Sequence, residues 1–352
     1  MIPPGSTIGI LGGGQLGRML AIAAAQMGYR CHIYAPEQTS VAAEVSAEFT
    51  CAGWYDHQAM ARFVAACDVV TYEFENVPVE PLAHIPDNKL HPHPRALETA
   101  QDRVAEKQFV SALGGNPAPY APVPKPGDLV AAVAEIGTPG ILKTCRDGYD
   151  GKGQWRIDAD TDLTTLDLPD APLVYEGFVN FAAEFSVILV RAADGDIRFY
   201  ESAENVHEGG ILALSSLPAS AMIGSQVSAA RKLAAAIAAK LEYIGVLTCE
   251  FFATSAGPVF NEMAPRVHNS GHWTIEGAAT SQFANHIRAI CGLALGATDT
   301  VGAKTRMLNL IGDKADAAQE LLADPLTHVH LYGKREAREG RKMGHATRIE
   351  MK

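Results

Sequence analysis

The stretch KTCRDGYDGKGQW, residues 143–155, decides the fold. A lysine closes a short apolar run, GILK (140–143), which has the texture of a strand. Glycines at 148, 151 and 153 then punctuate a loop, and QWRI (154–157) returns as a second strand. A glycine loop of this kind can fold over a triphosphate, exclude water and offer its N–H groups to phosphate oxygens. Lys143, at the strand end, is placed to neutralise phosphate charge. The segment is not a Walker loop, because GxxxxGK[ST] is absent. An ordinary tight hairpin is the alternative reading of the same residues.

Upstream, TIGIL, GGGQLG, RMLAIAAAQMG and YRCHIYAP read as strand, glycine turn, helix and second strand, with Gly28 placed to stop the helix. Gly12, Gly14 and Gly17 make a GxGxxG, and Glu37 follows the second strand where a ribose-binding acid belongs in a dinucleotide fold. The glycines either approach a phosphate or merely let helix and sheet pack. DVVTYEFENV (68–77) reads as a buried strand ending in acids, and 95–113 as one helix stopped by Gly114 and Gly115. The proline-dense NPAPYAPVPKPG (116–127) reads as the linker out of the first domain.

Downstream, LVYEGF, FSVILVR and IRFYESAENV read as strands, 225–242 as an amphipathic helix, and VLTCEFF and PVFNEM as adjacent strands. A helix is expected near 280–291, and a strand, a helix and a hairpin over 305–352. Glu250 and Glu262 lie on the adjacent strands, where paired carboxylates bind magnesium and leave positions open for phosphate oxygens. CEFF is mostly apolar, so Glu250 is expected to be buried and to need a cation or donor. Solvated strand acids are the plainer alternative.

The stretch NEMAPRVHNSGHWT (261–274) then crowds specific donors together. Arg266 can grip a planar oxyanion with two N–H groups. His268 can hydrogen-bond or move a proton near neutral pH, and Asn269 can orient a carbonyl. His272 and Trp273 are assigned to packing. In the tail, Lys334, Arg335, Arg338, Arg341 and Lys342 form a basic cluster that suits a phosphate monoester or a solvated hairpin.

Composition bounds the class. At 352 residues, 47% hydrophobic and 20% charged, the chain is long enough for two or three domains with sizeable cores. A net charge of −11 argues against nonspecific binding to nucleic acid or an anionic membrane. The cysteines at 31, 51, 67, 145, 249 and 291 show no CxxC spacing, which fits free thiols in a reducing, cytoplasmic compartment. AIAAAQM is too short to span a bilayer.

With these residues in hand, the sequence resembles the ATP-grasp superfamily, and within it the 5-(carboxyamino)imidazole ribonucleotide synthase family. GGGQLGRM, EFENV, DRVAEKQF, KTCRDGYDGKGQW, NEMAPRVHNSGHWT and GRKMGH carry the resemblance, in that order, over nearly the whole chain. Some members run on past this point, whereas this chain stops soon after GRKMGH. The resemblance implies a mixed α/β and α+β architecture: a doubly wound, Rossmann-like domain over 1–115, a central lid over 116–180 and a C-terminal ATP-grasp domain over 181–352. ATP would lie between the last two.

It also implies site residues. Arg103 and Lys143 would contact ATP phosphates, together with the loop residues Gly148, Tyr149, Asp150, Gly151, Lys152 and Gly153. Glu176, Gly177, Phe178 and Val179 would meet adenine through backbone hydrogen bonds, Glu184 the ribose, and His207 and Asn261 the rest of the nucleotide. Glu250 and Glu262 would bind one or two magnesium ions. Tyr149, Asp150 and Lys152 would contact 5-aminoimidazole ribonucleotide, with Lys334, Arg341 and Gln15 on its phosphate. Arg266 would hold bicarbonate, with His268 and Asn269 orienting a carboxyphosphate intermediate. The implied activity is ATP- and bicarbonate-dependent carboxylation of the exocyclic amine, by a cytoplasmic homodimer with no nucleic-acid or membrane partner.

Three alternatives stand beside it. Another ATP-grasp ligase, such as a formate-using transformylase or a biotin carboxylase, would share most motifs. The first 120 residues alone would permit an NAD-dependent oxidoreductase, against which stand Pro36 ahead of Glu37 and the lack of a hydride-site constellation. A nonenzymatic nucleotide-binding regulator would have no need for intact acids at 250 and 262.

Overall fold

The computed structural model describes residues 1–148 and 153–351. Among these, the strands form three sheets. The first is parallel: β1 (Thr7–Leu11), β2 (Arg30–Ala35), β3 (Glu48–Cys51) and β4 (Val69–Tyr72), in the order β3-β2-β1-β4. Helices α1 (Gln15–Gln26) and α2 (His57–Ala66) cross between its strands. As the sequence predicts, Gly28 follows the end of α1 in the left-handed region (φ +82°), where its N–H caps Ala25 O.

Chain 68–77 is strand for four residues only; after Tyr72 the acids leave the sheet in a loop that leads to α3 (Val79–Leu82). The helix predicted over 95–113 is two: α4 (Arg95–Ala100) and α5 (Arg103–Ala112). Asp102 breaks the run, because its carboxylate accepts from the N–H groups of Val104 and Ala105 and so starts a new helix.

The second sheet holds β5 (Tyr120–Val123), β6 (Gly140–Thr144), β7 (Gln154–Ile157) and β8 (Leu173–Gly177) in the order β5-β8-β6-β7, backed by α6 (Leu129–Ile136). The proline-dense segment is therefore not all linker. Tyr120–Val123 pairs antiparallel with β8 at the sheet edge, where Pro122 is tolerated because an outward-facing donor is not needed.

The third sheet spans β9 (Ala183–Arg191), β10 (Ile197–Phe199), β11 (Glu204–Glu208), β12 (Ile211–Leu217), β13 (Gly245–Thr254), β14 (Gly257–Ala264), β15 (Lys304–Ile311), β16 (Thr327–Leu331) and β17 (Lys342–Glu350). IRFYESAENV is broken between β10 and β11 by Tyr200–Ala203, where the Tyr200 side chain is fully buried. Helix α7 (Ala221–Lys240) packs on β9 and β13 through Ile223, Ala230, Ala234 and Ile237. Helices α8 (Thr274–Gly277), α9 (Gln282–Ile290) and α10 (Ala318–Leu321) complete the fold. Helix α9 packs against α1, and His286 Nε2 lies 2.8 Å from Thr71 Oγ1, so the parallel sheet is locked onto the third one. No helix among the described residues is long and apolar enough to cross a membrane.

Candidate active site

A cavity of about 750 Å³ opens where the three sheets converge, a size suited to small ligands. Gly14 and Gln15 reach it from the start of α1, Glu73 and Glu75 from the loop after β4, and Arg103 and Glu106 from α5. Lys143, Glu184 and His207 come from β6, β9 and β11. Glu250, Asn261 and Glu262 come from β13 and β14, and Arg266, His268 and Asn269 from the loop that follows.

The two strand acids face one another. Glu250 and Glu262 are cross-strand partners, with a bulge directly after Glu250. Burial, and then the charge of Glu262, raise the Glu250 carboxyl to about 7. Burial also acts to raise Glu262, but Arg103 and Lys143 outweigh it and the net shift is downward. One carboxylate is thus held ionised while its neighbour resists ionising. Arg103 Nη1 lies 3.1 Å from Glu262 Oε2, and Glu250 Oε1 has no hydrogen-bond partner among the described residues. A divalent cation fits this pair: it would satisfy the orphaned oxygen and relieve the repulsion. No cluster of three or more metal-ligating side chains occurs among the described residues. The remaining ligands would be nucleotide oxygens and water.

Beside the acids lies a second charged group that the sequence did not reveal as a unit. Glu176, deep in β8, sits 2.9 Å from Lys143 Nζ and 3.2 Å from Lys107 Nζ. Burial opposes its ionisation, but Lys143 and Lys107 bring the carboxyl down to about 2. Glu106, on the same helix as Arg103 and Lys107, accepts from Met263 N–H at 2.6 Å, and burial raises it to about 8. The DRVAEK spacing carries the signal, since positions three and four apart share a helix face.

Arg266 does not present a free fork. Its Nη2 lies 2.6 Å from Glu75 Oε2 and its Nη1 donates to Val267 O. The His268 ring accepts from Ser270 N–H at Nδ1, which leaves the ring proton on Nε2, 3.6 Å from Glu250 Oε1. Burial, followed by the charge of Arg266, lowers the His268 pKa well below its usual range, so the ring is a neutral donor. Asn269 is buried, lines the cavity, and has neither amide atom hydrogen-bonded among the described residues. A buried amide with both ends unmet is a site a ligand would complete. On the far wall, His207 Nδ1 lies 3.0 Å from Glu184 Oε2. Burial opposes protonation of His207, but the Glu184 hydrogen bond and the neighbouring acids raise it on balance.

Several expected positions differ. The GxGxxG turn holds a protein carboxylate: Gly14 N–H donates to Glu73 Oε1 at 2.7 Å, and a Cβ at Gly12 would fall 2.6 Å from that oxygen. Glu37 is exposed and off the cavity. The Gly177 and Phe178 N–H groups donate to Pro119 O and Pro139 O, so those two donors are already used. Glu176, Gly177, Phe178 and Val179 flank the cavity without lining it; Phe181, stacked on Phe252 at 4.5 Å, does line it. Gly148 lines it, and Gly153 binds back to Thr144. Tyr149, Asp150, Gly151 and Lys152 lie outside the described residues. Lys334 Nζ donates to Lys342 O, and Arg341 Nη1 to Glu336 O; neither lines the cavity, whereas Lys342 does.

Comparison with known proteins accounts for this arrangement. Residues 5–101 match the ribonucleotide synthetase preATP-grasp domain, 108–283 the ATP-grasp domain, and 305–352 the phosphoribosylaminoimidazole carboxylase C-terminal domain. The N5-carboxyaminoimidazole ribonucleotide synthase of Brucella melitensis is 48% identical, covering 99% of this chain and 98% of the relative. The chain belongs to the N5-carboxyaminoimidazole ribonucleotide synthase family of ATP-grasp enzymes. The ADP complex of such a synthetase is similar at TM-score 0.94 and 38% identity, covering 100% of this chain and 94% of that one. An Aspergillus clavatus synthase in complex with ADP and 5-aminoimidazole ribonucleotide is similar at TM-score 0.88 and 31% identity, covering 98% and 94%. Within this family the mixed α/β ATP-grasp fold, the ligase class and the use of ATP are the expectations that the comparisons meet.

Proposed function

We propose that the chain carboxylates the exocyclic amine of 5-aminoimidazole ribonucleotide, using bicarbonate and ATP and releasing ADP and phosphate. One observation carries the reading: the acid pair Glu250 and Glu262, the phosphate-type cations Arg103 and Lys143, and the Arg266–His268–Asn269 turn all face one cavity. Ile141, Phe181 and Phe252 offer an apolar wall suited to a planar base, beside the Glu184–His207 pair for a ribose.

In this account a bicarbonate oxygen attacks the γ-phosphorus as the bond to the ADP oxygen breaks, giving carboxyphosphate. That intermediate splits into carbon dioxide and phosphate, and the amine nitrogen attacks the carbon and loses a proton. Magnesium, held by Glu250 and Glu262, would neutralise charge on the phosphoryl oxygens. Arg266 anchors the oxyanion once it exchanges part of its bond to Glu75. Neutral His268 donates from Nε2, and Asn269 supplies a donor and an acceptor. Enclosure keeps water from the intermediate. The division into 1–115, 116–180 and 181–352 belongs to the same proposal; each range holds one sheet, which supports it. A cytoplasmic homodimer, and the roles that the resemblance gives Lys334, Arg341 and the 148–153 loop, are further parts of the proposal.

The test is the substrate dependence of ATP cleavage. ADP release that needs both bicarbonate and the imidazole nucleotide supports the reading. Release driven by formate, or formation of AMP, would overturn it in favour of another ligase of the same fold.

A further inference from the structure

Gln282, the first residue of α9, is fully buried and does not line the cavity. Its amide spans the backbone of His268. Oε1 accepts from His268 N–H at 3.0 Å, and Nε2 donates to His268 O at 2.6 Å. The same Nε2 lies 3.4 Å from His272 Nδ1. Its backbone N–H donates to Thr274 Oγ1, and that hydroxyl donates to Gly271 O at 2.6 Å. Both ends of the turn 268–271 are therefore tied to one residue. The fit leaves no slack, since a Cβ at Gly271 would fall 2.7 Å from Gln282 Oε1.

The chemistry is selective. A primary amide offers a donor and an acceptor side by side without depending on its protonation state, and glutamine is the longer of the two side chains that carry one. A carboxylate would turn an acceptor toward His268 O, and an apolar side chain would leave two buried backbone groups unpaired. The turn so held is the one that directs His268 Nε2 toward Glu250 and presents the unpaired Asn269 amide to the cavity.

We infer that Gln282 is a positioning residue for carboxylation: by clamping the His268 peptide it keeps His268 and Asn269 in register with the Glu250–Glu262 pair. The inference rests on the proposed function and reaches substrate only through His268 and Asn269. It separates two quantities that a general loss of folded protein would lower together, namely product formed and phosphate released.

The experiment measures both, with the Michaelis constant for ATP, in the wild type, Gln282→Leu, Gln282→Glu, His268→Ala and the His268→Ala/Gln282→Leu double variant. Gln282→Leu should lower product turnover about tenfold or more, the scale of a lost buried hydrogen bond, with the ATP constant changed less than about twofold. Product per phosphate should fall with it. In the His268→Ala background the same change should cost clearly less than in the wild type, because only the Asn269 part of its route to substrate remains. Gln282→Glu, nearly the same size, should also uncouple, and it serves if the Leu variant does not fold. Folded Gln282 variants with wild-type product per phosphate, or losses that multiply independently with His268→Ala, would overturn the inference while leaving the function standing. A wild type that makes no carboxylated product would overturn both.

Discussion

Glu250 and Glu262 oppose each other across β13 and β14, and the only guanidinium bridging to them among the described residues, Arg103, lies 3.1 Å from Glu262. A buried Glu250 beside a part-exposed Glu262 is costly without a cation, so the pair suits the magnesium site proposed for it. Glu262→Gln should abolish most magnesium-dependent ATP turnover with little loss of folded protein. Wild-type activity at ordinary magnesium would remove Glu262 from the metal site.

The same pair sets a pH dependence. The folded Glu250 carboxyl is raised from 4.5 to about 7, so the folded state holds this proton more tightly than the unfolded chain. Its stabilising contribution is complete below the ordinary value and is lost as pH rises through the raised one. Glu106, raised to about 8, extends the window upward. These two carboxyls should therefore pull the melting temperature of the metal-free protein down between about pH 4.5 and about pH 8, against the opposite slope from the buried His268, His272, His286 and His345, whose pKa values burial lowers. Glu250→Gln should flatten part of that fall. An identical slope in the variant would contradict the assignment.

Glu176 predicts the opposite sign. Its carboxyl is lowered from 4.5 to about 2 by Lys143 and Lys107 against the effect of burial. Its contribution is present above the ordinary value and is lost as pH falls through about 2. Glu176→Gln strands two buried ammonium groups, and breaking such a pair costs roughly 3–5 kcal/mol. Denaturant unfolding at neutral pH measures this; an unchanged midpoint would mean that the lysines find other partners.

Asn269→Ala should separate stability from function. The amide makes no hydrogen bond among the described residues, so removing it should leave unfolding within about 1 kcal/mol of wild type, or raise it. Product formation should nonetheless fall further than ATP cleavage. Equal losses in both would place Asn269 outside the intermediate's contacts.

In the tail, Lys342 lines the cavity and Arg341 does not. Lys342→Ala should raise the Michaelis constant of the imidazole nucleotide roughly tenfold to a hundredfold, as for a lost charged hydrogen bond, and Arg341→Ala by less. The reverse order would restore Arg341 as the phosphate contact.

The elements legible in the sequence are those whose signal is local. GILK and QWRI stand where their patterns put them, and VLTCEFF and PVFNEM form an antiparallel pair that brings the two acids together. Tyr120–Val123 hid among prolines because an edge strand needs few donors. The hydrophobic pattern over 95–113 runs through Asp102 without a gap, so it masks the start signal that an acid ahead of a helix provides. What no local pattern could give is pairing at long range. Glu73 fills the glycine turn across 59 positions, Glu75 takes one edge of Arg266, and Glu176 draws in Lys107 and Lys143 from other elements. These contacts hold, before any ligand binds, groups that the sequence offers to a ligand.

In the proposed reaction bicarbonate is activated as carboxyphosphate in the cavity between Arg266 and the acid pair. Bicarbonate labelled with heavy oxygen, supplied with ATP and 5-aminoimidazole ribonucleotide, tests it most directly. Each phosphate released should carry one bicarbonate oxygen, ADP should carry none, and the carboxylated product should form in step. Unlabelled phosphate alongside carboxylated product would contradict it.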